Sequence, residues 1–242
     1  MSHPFPAVPS WQFDEAANAG RENLDPDHVA RYDGKQDAAA DDEVRLLADL
    51  GLGPDSIVVD LGAGTGQFAL AAARAAGRVI AADVSPVMLE RLHANVSDAG
   101  VTNVEIVEAG FLTYEHEGDP ADVVYSRWAL HHLPDFWKGV ALTRMRAILR
   151  PGGVLRLSDA VYSFDLADAA RALEAWCASA PDDADADPDV DWARWELEEH
   201  VSDEHSTFSW LLEPMMERAG FGIEITQYSA DQVFAEYVAR AI

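Results

Sequence analysis

Hydrophobic residues follow two rhythms along this chain. Short apolar runs, each only a few residues long, alternate with longer stretches in which apolar positions return every three or four residues. The first rhythm predicts strands and the second helices, because side chains repeat with period 2 on a strand and 3.6 on a helix. Strands are predicted at Ile57 to Asp60, Val79 to Ala82, Val104 to Val107, Val123 to Ser126 and Gly153 to Ser158. A helix carrying Val44, Leu47 and Leu50 on one stripe, closed by Gly51 and Gly53, precedes them. Helices are predicted between them at Gly66 to Ala76, Pro86 to Ala99 and Pro134 to Leu149. Ser85 and Pro86 suit the N-cap and first-turn positions of the second of these. Strands separated by helices and short loops imply parallel βαβ units. Unbroken apolar strands such as Ile57-Val58-Val59 imply a sheet covered on both faces.

The texture differs at the two ends. Residues 1–37 read as polar and irregular, with Pro4, Pro6, Pro9, Gly20, Pro26 and Gly34 as breakers. After Asp159 a helix is expected at Leu166 to Ala178, then an aspartate-dense linker at Pro181 to Asp191. A short helix follows at Asp191 to His200, and a longer one at Ser206 to Ala219 with Pro214 as a kink point. Phe221 to Thr226 and Val233 to Val238 are the last expected strands.

The chemistry concentrates in Val58-Val59-Asp60-Leu61-Gly62-Ala63-Gly64-Thr65-Gly66, a strand running into a glycine-rich turn and a helix. Glycine admits positive φ and lets a ligand approach the main chain, and the helix behind it offers free N–H groups. A dinucleotide fingerprint would place glycine at position 67, which is Gln67. Instead an acid is followed by glycines at 62, 64 and 66. This resembles motif I of the class I S-adenosylmethionine-dependent methyltransferases. A carboxylate at Asp60 suits the cationic methionine end of that cofactor better than a pyrophosphate. Asp83, at the end of the second strand, stands where an acid accepts ribose hydroxyls, with Val84 and Met88 near the adenine. Ser126-Arg127-Trp128-Ala129-Leu130-His131-His132-Leu133-Pro134-Asp135 resembles the segment after strand four in the ubiquinone and menaquinone type of these enzymes. Leu149-Arg150-Pro151-Gly152-Gly153 resembles their turn before strand five.

The resemblance implies an α/β, Rossmann-like, seven-stranded, mostly parallel sheet with its last strand antiparallel and helices on both faces. Its parts would be an N-terminal lid (1–37), a cofactor-binding core (38–160), a helical and acidic cap (161–205), and a last helix with two strands (206–242). It implies S-adenosylmethionine held by Asp60, Gly62, Ala63, Gly64, Gly66, Asp83, Val84, Met88, Gly110, Phe111, Ser126 and, from the lid, Tyr32. One position departs from the pattern. An acid commonly follows strand three to hold the adenine amino group, and here Gly110 stands in its place. His131 is the candidate general base, with His132 behind it. The expected reaction is C- or O-methylation of a small organic acceptor. A cofactor-binding protein without transfer activity, or a nicotinamide-dependent oxidoreductase, are the alternatives. Trp128, Trp192, Trp195 and Trp210 are candidates for an apolar acceptor pocket. His200 and His205 with Asp203 and Glu204 match no standard ligand spacing and read as a solvated acidic face. The alternating aspartates 183, 185, 187, 189 and 191 lack the glycine and glutamate of a calcium loop. No metal is expected.

Charge narrows the partners. With 43 acidic and 17 basic residues the net charge is -26, which disfavours nucleic acid or an anionic membrane surface as partner. The absence of an Asn-Pro-Pro-aromatic segment after strand four points the same way. The N-terminus has no basic region leading into an apolar stretch, and one cysteine, Cys177, suits a reducing cytoplasm. Only Lys35 and Lys138 are lysines. Such a balance serves general solubility or, the reading favoured here, adaptation to high salt, where screening relieves self-repulsion. The melting temperature should therefore rise steadily with KCl into the molar range; a flat profile would leave solubility as the explanation.

Overall fold

The computed structural model describes residues 9–35, 39–182, 184–187, 189 and 191–242. Pro4, Pro6 and Asp183, and the ends of the proposed lid segment, lie outside them. The core is an eight-stranded sheet. Its strands are β1 (Ile57–Leu61), β2 (Arg78–Asp83), β3 (Val104–Glu108), β4 (Ala121–Arg127), β5 (Leu149–Tyr162), β6 (Thr207–Phe208), β7 (Phe221–Tyr228) and β8 (Phe234–Ala241). The order is β3-β2-β1-β4-β5-β8-β7, with β6 pairing the end of β5. Pairs among β1 to β5 are parallel, and β8 runs antiparallel between β5 and β7. The expected fold class is the one observed, with β6 as an addition. Chain direction across the sheet reverses between β1 and β4, and open α/β sheets bind ligands at that crevice, beyond the carboxyl ends of the strands.

Helices α1 (Pro26–Lys35), α2 (Ala40–Asp49), α3 (Gln67–Ala72), α4 (Pro86–Ala99), α5 (Asp135–Ile148), α6 (Ala169–Cys177), α7 (Arg194–Asp203) and α8 (Ser209–Arg218) complete the chain. Alternate residues of each strand face opposite layers. Val58, Val79, Ala81, Val123 and Tyr125 pack against Leu47 of α2, Phe68 of α3 and Leu92 of α4. Val59, Leu61, Ile80 and Val124 face α5 and α8 through Leu142, Met145, Leu212 and Met216. Near-complete burial of both faces of β1, β2 and β4 explains why these strands lack polar alternation, whereas edge strand β3 exposes Glu105 and Glu108.

Several expectations change. The N-terminal stretch is not irregular throughout. Two 3-10 turns (Ala16–Asn18, Glu22–Leu24) lead into α1, whose His28 and Val29 are buried. With so few apolar residues, α1 owes its place to tertiary contacts rather than to its own periodicity. Strand β5 begins at Leu149 rather than Gly153, because Leu149 pairs with Ala121 across a register shift. Helix α3 is only six residues long, and α7 runs from Arg194 to Asp203. Pro214 sits inside α8, which remains one helix.

One buried ion cluster ties the front of the chain to the sheet. Arg156 of β5 donates to Glu43 of α2 through Nε (2.7 Å) and Nη2 (2.6 Å), and also to Glu236 of β8. The Arg156 and Glu43 side chains are 5% and 9% exposed. Removing Glu43 leaves the buried Arg156 charge with only the more exposed Glu236 beside it. Glu43→Ala should therefore lower the free energy of unfolding by about 3 kcal/mol, measured by urea titration in high salt; Glu224→Ala, whose pair with Arg240 is exposed, should cost well under about 1 kcal/mol.

Candidate functional site

The turn after β1 is shaped by the ends of two strands. Gly62 and Ala63 each donate a backbone N–H to Ala82 O, and Gly64 N–H donates to Asp83 Oδ2 at 2.8 Å. The other oxygen of Asp83 accepts Ser85 N–H at 2.8 Å. Gly62 has φ +76°, and a Cβ there would lie 2.3 Å from Ala129 Cβ, in the segment after β4. Only glycine lets the two loops at the crevice meet this closely. Gly66 also serves packing: a Cβ would lie 2.1 Å from Leu92 of α4. Asp60 is 2% exposed, and its Oδ2 is buried without a hydrogen-bond partner. Burial, reinforced by the charge of Asp83, holds Asp60 well above the usual carboxylate range. Asp83 is raised by burial as well. Two desolvated acids at one crevice, one with an orphaned oxygen, fit a ligand that brings a positive charge and hydroxyl donors.

Gly62, Gly64, Asp83, Val84, Met88, Gly110 and Phe111 line one cavity together with Tyr32 of α1. Asp60 and Ala63 line its adjoining mouth, again with Tyr32. Asp33, next to Tyr32, accepts from Thr65 Oγ1 (2.5 Å) and Gln67 Nε2 (2.8 Å), which pins α1 over the glycine turn. Ser126 is not brought into the cleft. It is fully buried in β4 and lines none of these cavities, so it stands apart from the other residues expected to hold the cofactor. Its successors Arg127 and Trp128 curl over the edge instead, Trp128 with a left-handed φ of 53°. A bulky residue held there stores strain, and such strain persists where surrounding structure enforces it.

Gly110 leaves room for an acid from elsewhere. A Cβ at Gly110 would lie 2.5 Å from Glu15 Oε1, and Glu15 Oε2 accepts Leu112 N–H at 2.9 Å. Glu15, from the N-terminal segment, thus puts its carboxyl against the loop after β3, on the wall of the same cavity. Burial pushes its pKa up to about 7. No local pattern marks it; the one signal was a glycine where an acid was expected 95 positions later.

A larger cavity of about 490 Å³ adjoins the first. Trp128, Trp176, Trp192, Trp195 and Phe234 line it, with acids from the N-terminal segment and α7. Trp210 is not part of it and lies 54% exposed. Asn23, Tyr32, Trp128 and His132 line both cavities. Lys35 of α1 donates to Glu196 of α7 at 2.9 Å and lies over the Trp192 ring, so α1 and α7 meet at the rim of the larger cavity.

His131 stands at its floor, but not as a free base. Its Nδ1 is 2.5 Å from Asp159 Oδ1, and its Nε2 is 2.7 Å from Glu204 Oε2. Burial opposes its charge, yet the two carboxylates prevail and raise it to about 10. With both ring nitrogens engaged by carboxylates, His131 is not placed as the free imidazole that the role of general base calls for. Burial lowers His132 to about 3 and His200 to about 4, and both stay neutral. Glu204 belongs to no solvated face: its side chain is 12% exposed and ringed by these histidines. His205 is exposed but couples the segments through its backbone, donating N–H to His131 O at 2.9 Å and accepting from buried Lys138. Cys177 is buried among Tyr162, Phe164 and Trp176. Asp187 and Asp191 of the linker bond to its backbone, Asp191 Oδ2 accepting Asp187 N–H at 3.0 Å.

Residues 58–153 match the family model described as a methyltransferase domain. A Mycobacterium tuberculosis protein is 32% identical over 110 residues, 46% of this chain and 39% of that one. The arsenite methyltransferase of Halobacterium salinarum is 29% identical, over 94% of this chain and 55% of its own length. The chain thus spans between 39% and 55% of these relatives. Among solved structures, magnesium protoporphyrin IX methyltransferase of Synechocystis with its S-adenosylmethionine superimposes with a TM-score of 0.63 at 14% identity. That match covers 97% of this chain and all of the other.

Glu15 provides a test of the smaller cavity. Its folded pKa, about 7, lies above the ordinary 4.5, so ionisation opposes folding. Its contribution is complete below the ordinary value and is lost as pH rises through 7, by at most about 3 kcal/mol. Glu15→Gln should gain stability relative to the unsubstituted chain as pH rises from 4.5 to 7, while binding S-adenosylhomocysteine about tenfold more weakly at pH 8. Melting curves and calorimetry check both.

Proposed function

We infer that this chain, whose core belongs to the class I S-adenosylmethionine-dependent methyltransferases, moves a methyl group onto a small organic acceptor held in the tryptophan-lined cavity. The observation that carries the reading is the shared wall. Asn23, Tyr32, Trp128 and His132 face both the glycine-turn cavity and the larger one, so molecules in the two would meet there.

S-adenosylmethionine, when bound, supplies a methyl group already activated on a sulfonium. Asp60 would hold its cationic methionine end, Asp83 the ribose hydroxyls, and Val84, Met88 and Phe111 the adenine faces, with Glu15 in reach of the amino group. Tyr32, pinned through Asp33, would cover the site and keep water out. In-line displacement gains most from alignment and dehydration. His132 is too weakly basic to draw a proton efficiently at neutral pH, because a base works best with a pKa near the working pH. Its place is to position. The aromatic lining suits an amphipathic acceptor, methylated on oxygen or carbon. The net charge of -26 makes a polyanionic acceptor such as nucleic acid a poor fit.

Calorimetry with S-adenosylhomocysteine and with NAD separates this reading from an oxidoreductase. Saturable binding of the first alone is expected, and Asp83→Ala should weaken it by about a hundredfold. Transfer of labelled methyl to a member of a phenol, enol and thiol panel is the second arm. NAD binding, or wild-type affinity in Asp83→Ala, would overturn the assignment; cofactor binding without transfer to any acceptor would favour a regulatory protein.

A further inference from the structure

Three imidazoles and one carboxylate converge at the floor of the acceptor cavity. Glu204 Oε2 lies 2.7 Å from His131 Nε2, 3.3 Å from His132 Nδ1 and 3.5 Å from His200 Nδ1. The ligand atoms of His131, His132 and Glu204 all fall within 4.8 Å of one another. Two donors on a tetrahedral ion with bonds near 2.0 Å stand about 3.3 Å apart, so this spacing needs little adjustment. Glu204 Oε2 is buried, pairs with His131 Nε2 and has the two further imidazole nitrogens turned toward it. Four donor groups converging on one point are arranged as ligands of a common centre are.

The surrounding bonds orient the rings for the same task. Asp159 accepts backbone N–H groups from Leu130 (2.7 Å) and Ala160 (2.7 Å), which fixes its carboxylate. A fixed carboxylate against His131 Nδ1 holds the ring with Nε2 directed at Glu204. A second carboxylate behind a ligating histidine is a recurrent feature of metal centres. His200 Nε2 pairs with Ser206 Oγ at 2.9 Å, which leaves its Nδ1 facing the cluster. The segments that carry these residues, after β4 and at the end of α7, are locked together by His205 N–H on His131 O and by Lys138 Nζ, which donates to both Leu133 O (2.6 Å) and His205 O.

We propose that His131, His132 and Glu204 form a binding site for a divalent transition-metal cation of the zinc class, with a remaining position flanked by His200 and open to the acceptor cavity. Imidazole-rich donors select zinc, cobalt or nickel over magnesium and calcium, which require oxygen shells. All four residues line the larger cavity, and His132 also reaches the cofactor cavity. The ion's role rests on the methyl-transfer reading; its binding does not. A hydroxyl or thiol of the acceptor that coordinates there loses its proton to water more readily.

The test uses the full chain, stripped with a chelator and dialysed. Titration with ZnCl2 should show one site, and CoCl2 should give the visible absorption of a tetrahedral nitrogen-ligated ion. His132→Ala and the near-isosteric Glu204→Gln should each weaken zinc binding at least tenfold, and Asp159→Asn by about 10- to 100-fold. Circular dichroism checks that the variants fold, and the cobalt spectrum of the unsubstituted chain decides the matter if one does not. Absence of saturable zinc binding, or binding unchanged in both variants, would overturn the site. Zinc failure with intact S-adenosylhomocysteine binding leaves the transferase reading standing, and the reverse result leaves the metal site standing.

Discussion

The bond from Gly64 N–H to the Asp83 carboxylate joins the tips of β1 and β2, and the geometry of the crevice follows from it. The turn cannot close on Asp83 without glycine at 62, because the loop after β4 presses Ala129 against it. Once closed, it leaves Asp60 buried beneath with an unpartnered oxygen. A buried carboxylate without a partner is costly in isolation. The fold retains it at the one point where chain direction across the sheet reverses, which is where a cationic ligand can compensate it.

The second cavity depends on a different kind of constraint. Its walls come from α1, the segment after β4, α6, α7 and β8, pieces far apart in sequence. Apolar packing of Leu197 and Val201 of α7 is joined there by polar links. Lys35 reaches Glu196, Asp33 reaches Thr65 and Gln67, and Lys138 holds two carbonyl groups. Both lysines of this acidic chain are thus spent inside it, on joints around the site. No helix among the described residues is long and apolar enough to cross a membrane.

Histidine chemistry at this site is governed by neighbours. An isolated His131 would titrate near neutrality, as suits a base. Between Asp159 and Glu204 it becomes a fixed positive group or a metal ligand, and in neither role does it accept a proton from an acceptor. Burial, reinforced by the charge of His131, depresses His132 and His200 against the pull of the same carboxylates. Histidines of one cluster therefore differ according to whether carboxylate contacts or burial dominates at each ring.

Local pattern alone determined much of this protein. Period-2 and period-3.6 repeats marked the central strands and helices, and Asp60, the glycines and Asp83 marked the turn proposed to hold the cofactor, because each of these is a contiguous segment whose backbone requirement shows in residue type. Tertiary structure alone decided what depends on distant segments meeting. It brought Glu15 to Gly110, Glu204 to His131, and Trp176 and Trp192 to Trp128, and it made a helix of 26–35 from residues with little helical pattern. It also withdrew Ser126 into the sheet and left Trp210 outside. The physical reason is that a side chain's burial, charge and partners are properties of its surroundings in space, and a residue's type records only what it is able to do there.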